Sequence, residues 1–179
     1  MKLRSQRLLN LWDSRSQKPT KNPTKKKING QFIFESLFSV HAFSTQPTPT
    51  AITGYARQLS DKLLIEVRAL RDQTQHQHRV LINKVNDIDV NTYQTNEPQP
   101  ISINEKKLTP QNVMLMKLFM ATDAYLNTLY LAKINGELTN SEQQDYRQQT
   151  ITDLVKLLQK LNKVCITFHQ FRKNPEGVA

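Results

Sequence analysis

The side chains able to do covalent or metal chemistry are few: His41, His76, His78, His169 and the single cysteine, Cys165. Only His76 and His78 stand close together. On a helix their i, i+2 spacing points them to different faces, and no carboxylate cluster lies beside them in sequence. They are expected to be surface polar residues, and no metal is expected. Cys165 sits in an apolar helical pattern with Val164, Ile166 and Phe168, the setting of a buried, unreactive thiol. One cysteine excludes an intramolecular disulfide and a thiolate metal cluster. The chain has only four glycines, none in a phosphate-cradling loop, and no HExxH or GxSxG motif. Asp87 and Asp89 read as turn chemistry. These absences argue against an enzyme and against a bound cofactor.

Binding chemistry remains, and the charge distribution points to its class. The chain carries +10 overall, and residues 1–30 hold nine Lys and Arg against one Asp, so eight of those ten charges lie there. A basic arm on a near-neutral body suits a polyanion, because each phosphate it neutralises releases counterions. Lys2, Arg4, Arg7, Lys21, Lys25, Lys26 and Lys27 are the candidate phosphate contacts. The plainer alternative is a solvated tail with no fixed partner. The most apolar stretch, "VMLMKLFMATDAYLNTLYLAKI", is interrupted by Lys117, Asp123 and Asn127, so it reads as a buried helix and not a membrane span. The N-terminal residues contain no seven-residue apolar core, so no secretory signal is expected and the location expected is cytoplasmic.

The elements that must position such contacts follow from periodicity and caps. Apolar content of 37% in 179 residues suits one folded domain plus polar segments. Residues 1–30, with Pro19 and Pro23, read as a flexible arm, in which Leu3, Leu8, Leu9, Leu11 and Trp12 could form a short amphipathic turn of helix. Residues 31–43, "QFIFESLFSVHAF", alternate at period two and read as a core strand, with a helix as the alternative. Residues 53 to about 85 carry Ala56, Leu59, Leu63, Val67 and Leu70 at helical spacing, with Thr53 as a candidate cap. Thr109-Pro110 opens a helix that Gly136 stops. Thr139 and Glu142 form a capping box for a last helix to about Lys173, and residues 174–179 read as a frayed end. The fold class expected is mainly α, three long helices with one or two short strands, in a single domain over 31–173. A strand isolated in a helical chain must pair within the chain or with its copy in a second chain, so a homodimer is expected.

"PISINEKKLTP", a helix, then "NGELTNSEQQDYRQQ" and another helix resemble the ribbon-helix-helix pattern of DNA-binding regulators, in which a strand from each of two chains lies in the major groove. Alternation would turn Ser102, Asn104 and Lys106 outward as base-reading candidates. The helix start at Thr139, Asn140 and Ser141 would meet a phosphate. The first helix, near 25 residues, is longer than that pattern usually has. The alternative is an ordinary helical hairpin with a capped turn.

The body from about Gly54 to Phe171 resembles the AcaB-like family of proteins of integrating conjugative elements and conjugative plasmids. The resemblance lies in "LSDKLLIEVRALRDQ", in a proline-containing connection, and chiefly in "MLMKLFMATDAYLNTLYLAKINGELTNSE" followed by a long helix. It covers about two thirds of the chain and leaves out the basic leader. It implies a bacterial, DNA-binding transcriptional regulator of conjugative transfer genes, an activator among the better understood members, with a ribbon-helix-helix-related fold. Asp123 and Gly136 match the family pattern. We read Asp123 as a polar group facing a partner on the next helix, and Gly136 as a helix stop. The competing function is a protein-interaction adaptor of the transfer machinery without DNA binding. It would gain if the folded body lacked a basic face continuous with the start of the arm.

Overall fold

The computed structural model describes residues 1–13, 28–85 and 97–174. In chain order the elements are β1 (Lys2–Leu3), α1 (Gln6–Trp12), α2 (Gly30–Ser44), α3 (Ala51–Val85), β2 (Gln99–Pro100), α4 (Pro110–Ile134) and α5 (Asn140–Lys173), with a 3-10 turn at Glu105–Lys107 before α4. The chain is mainly helical, as expected. The three long helices fall where periodicity placed them.

Each long helix begins at a hydroxyl cap. At α3 the cap is Thr50, with Thr53 as its reciprocal partner: Thr50 N donates to Thr53 Oγ1 (2.8 Å) and Thr53 N donates to Thr50 Oγ1 (3.2 Å). Thr109 caps α4, with Pro110 in its first turn. Thr139 and Glu142 form the capping box of α5. Gly136, at φ +80°, is the one residue in the left-handed region among those described, and it ends the turn after α4.

Side-chain contacts give the directions. Gln111 Nε2 donates to Ser60 Oγ (2.6 Å), and His78 Nε2 lies 2.7 Å from Thr128 Oγ1, so α3 and α4 run parallel. Lys160 reaches Glu66 (2.8 Å), and Lys84 acts on Glu142, so α5 runs antiparallel to α3. Helix α4 packs against α2, α3, α5 and β1, and Leu115, Leu118, Phe119 and Leu129 on it are buried. It is the central helix.

Two expectations are corrected. Residues 31–43 are not a strand; they lie within α2. Asn29 caps that helix by accepting from Phe32 N (3.1 Å), and Ile33, Phe34, Leu37 and Val40 form its buried stripe. The i, i+4, i+7 spacing of Ile33, Leu37 and Val40 prevails over the period-two alternation. Residues 1–13 are not a flexible arm: the expected amphipathic turn is present as α1, and it is docked. Leu3, Leu8 and Trp12 are buried, and the Trp12 ring meets Phe119 and Phe34 edge-on at 5.1 and 5.9 Å. The apolar positions inside the charged leader are the part of it that joins the core.

The strand question also resolves inside the chain. The segment 101–104 is not a strand; the short strand precedes it and pairs antiparallel with β1, Lys2 against Pro100 and Leu3 against Gln99. Ile101 N donates to Met1 O (2.8 Å), extending the tie. The backbone of β2 is therefore paired without a second copy, and the unpaired-strand argument for a homodimer does not apply to these residues.

Candidate polyanion cleft

Asp123 fixes where the N-terminal segment sits. Its carboxylate, 5% exposed, lies at mid-α4. It accepts from Arg4 N at both oxygens (3.0 and 2.9 Å) and from Ser5 N (2.8 Å). Its partner is thus the backbone entering α1, not the next helix, which corrects the expectation. The carboxylate satisfies two amides that would otherwise lose water without replacement, and they compensate its own burial.

This anchor turns the Arg4 and Arg7 side chains toward a cleft of about 490 Å³. Three walls form it. The N-terminal segment supplies Arg4, Gln6 and Arg7; α4 supplies Leu126, Asn127, Tyr130 and Lys133; α5 supplies Gln143 and Arg147. The α4 set recurs every three or four residues, one stripe of that helix. Gln143 and Arg147 are one turn apart on α5. The turn at Gly136 folds the end of α4 against the start of α5, so Lys133 and Arg147 face one space.

The electrostatics are one-sided. Arg4, Arg7, Lys133 and Arg147 are all exposed, and among the described residues none of the four has an ion-pair partner. Asp123 is the one carboxylate in the lining, and it is already engaged by Arg4 and Ser5 amides. Four uncompensated cations around a concavity raise the local concentration of anions. The cleft is continuous with the start of the basic segment.

The other expected contacts divide. Lys2 is exposed in β1 and is not in the cleft lining. Lys21, Lys25, Lys26 and Lys27 lie outside the described residues. Thr139, Asn140 and Ser141 are exposed at the start of α5. The Glu142 carboxylate, however, accepts from both Thr139 N (2.8 Å) and Thr139 Oγ1 (2.7 Å). Those hydrogen bonds, with the charge of Lys84, hold the Glu142 carboxyl below the usual range. A carboxylate thus occupies the place expected for a phosphate at Thr139.

Ser102, Asn104 and Lys106 are exposed, as alternation required, while Ile101 and Ile103 pack on the core. Their setting differs from a ribbon. Asn104 Oδ1 accepts from Lys106 N (3.1 Å) and caps the 3-10 turn. Ser102 and Asn104 edge a second groove of about 560 Å³ beside Phe32, Phe34 and Trp12. The charged residues of that groove, Glu35 and Lys107, are paired with each other. It has no surplus of positive charge.

The chemistry-bearing residues are held by packing. Cys165 is fully buried, and burial pushes its thiol up to about 12. His78 is half-buried, less exposed than expected of a surface residue; burial lowers its pKa. Thr128 Oγ1 donates to Ala124 O (3.1 Å), which leaves it to accept from His78 Nε2–H. His76 is exposed. His169 Nε2 lies 2.9 Å from Ser36 Oγ, within reach for a nucleophile and base, but Ser36 is 1% exposed. Substrate has no path to it there. Among the described residues no group of three His, Cys, Asp or Glu could hold a metal ion, and no helix is long and apolar enough to cross a membrane.

Comparison with protein-family models, with curated proteins and with solved structures finds no match. Sequence reasoning found Arg4 and Arg7 but missed Lys133 and Arg147. Both flank the Gly136 turn, and the hairpin pattern there was the signal that could have paired them.

Proposed function

We propose that this chain binds double-stranded DNA through the Arg4, Arg7, Lys133 and Arg147 cleft, as a regulator of transcription. The observation that carries the reading is the convergence of four unpaired cations from three separate segments on one concavity. The adaptor reading would gain if such a basic face were missing, and the cleft supplies one continuous with the N-terminal segment. Phosphates on the cleft would position the protein, and contacts elsewhere would select sequence. The exposed Ser102, Asn104 and Lys106 are the candidates for that second role. The AcaB-like motifs support conjugative transfer genes as the targets and activation as the outcome. They also support a cytoplasmic homodimer, formed by a surface other than a two-chain ribbon because β2 pairs with β1 of its own chain; light scattering against the 20.8 kDa chain mass tests it.

The test of binding is a salt titration of affinity for duplex DNA. Replacing Arg4, Arg7, Lys133 and Arg147 together by Gln should reduce the log–log salt slope by about 3 to 4 units, near 0.9 for each phosphate no longer neutralised. These side chains are exposed, so the fold is retained. An unchanged slope and affinity would show that the cleft does not hold phosphates. Promoter duplexes of the element compared with scrambled duplexes at matched salt test the regulator reading, and equal affinity for both overturns it.

A further inference from the structure

The cleft contains more than charge. Tyr130 is 45% exposed on α4 and shares the cleft lining with Arg4 and Arg7 of the N-terminal segment and Arg147 of α5. Leu126, one turn earlier, continues the same apolar strip and is 9% exposed. A site that only gripped the backbone of a duplex would need neither group. An accessible aromatic face among arginines is the arrangement by which unpaired bases are held: the ring takes the base and the cations take the flanking phosphates. Asn127 and Gln143, on either side of the hairpin, supply amides that can both donate to and accept from a base edge. At about 490 Å³ the cleft lies within the size range of small-molecule sites, large enough for one nucleotide and too small for a base pair with its strands.

We propose that this cleft binds a single unpaired nucleotide of a DNA strand, its base stacked on Tyr130 and its flanking phosphates on Arg4, Arg7 and Arg147. The inference rests on the DNA-binding reading and sharpens it: the DNA in the cleft is single-stranded or locally opened. A paired, stacked base cannot reach Tyr130 without unstacking, which costs a few kcal/mol. Within a duplex the base can therefore come only from a locally opened position, and a single strand offers it without that cost.

The experiment is fluorescence polarisation at one fixed salt concentration with three labelled probes. They are a short oligothymidylate, an oligonucleotide of the same length with abasic sites, and a duplex of that length. Tyr130→Ala should weaken oligothymidylate binding roughly 5- to 150-fold, the range for loss of one base–aromatic stack. It should leave the abasic probe and the duplex within about twofold, and Tyr130→Phe should restore the oligothymidylate affinity. Thermal melting of Tyr130→Ala checks that its fold is intact, as the exposure of the side chain leads us to expect. Equal losses on all three probes, or no loss on oligothymidylate, overturn the stacking role. Loss of Tyr130 sensitivity with retained sensitivity to Arg147→Gln sinks this inference alone. If Arg147→Gln and Arg7→Gln affect no probe, the DNA-binding reading fails with it.

Discussion

Removing the Asp123 carboxylate should release the N-terminal segment before it unfolds the body. In Asp123→Ala, two backbone donors lose a charged acceptor: Arg4 N, shared between both oxygens, and Ser5 N. A hydrogen bond to a charged group contributes about 1.5–3 kcal/mol, so two give roughly 3–6 kcal/mol. The lower end applies here, because the freed amides can return to water once the segment lifts. Local release needs less free energy than global unfolding. The chain has one tryptophan, Trp12, and it is 1% exposed against Phe119 and Phe34, so its fluorescence reports this segment alone. The expected result is red-shifted emission in Asp123→Ala without denaturant, and a urea transition by Trp12 that precedes loss of far-UV helicity. Hydrogen exchange at Arg4 and Ser5 should accelerate roughly 100-fold or more, about 1.4 kcal/mol per tenfold. Asp123→Asn keeps one acceptor oxygen and should fall between. Wild-type emission, coincident transitions and an unchanged midpoint in Asp123→Ala would refute the anchoring argument.

The remaining predictions concern packing. A Cβ at Gly30 would lie 2.9 Å from Trp12 Cα and 3.2 Å from Leu11 O, both backbone atoms, so Gly30→Ala should destabilise by about 1–3 kcal/mol in urea denaturation. Gly54, in the first turn of α3, has open space around its Cα, so Gly54→Ala should stabilise by about 0.5–1 kcal/mol. Wild-type stability in the first, or a loss in the second, contradicts this account. With its thiol pushed up to about 12 and no exposure, Cys165 should react with a thiol reagent at neutral pH only as fast as the protein opens. Stoichiometric labelling of the folded protein within minutes would show that the core around it is not closed.

The long helices were legible because their signals are local. A Thr-Pro start, a capping box and a glycine stop each need only a few neighbouring residues, and all are present as read. Residues 31–43 were ambiguous because eight apolar residues in thirteen satisfy both periods; the Asn29 cap was the discriminating signal. The short amphipathic turn at Leu3 to Trp12 was legible, but not what it docks on. Leu3, Leu8 and Trp12 are sparse among charges, and what fixes them is a carboxylate 119 positions from Arg4. Half of the cleft was missed for the same reason. Arg4 and Arg7 stood out by local charge density, whereas Lys133 and Arg147 join them only through tertiary packing.

The Arg4–Asp123 contact also imposes an order on synthesis. Its two residues are 119 apart, and a ribosome adds about 5–20 residues each second. Leu3, Leu8 and Trp12 are therefore made roughly 6 to 24 seconds before their site on α4 exists. For that interval three side chains destined for the core have α2 beside them, through Phe34 and Gly30, but not α4. The last contacts of the N-terminal segment to form are therefore those to α4, Trp12 on Phe119 and the Arg4 and Ser5 amides on Asp123.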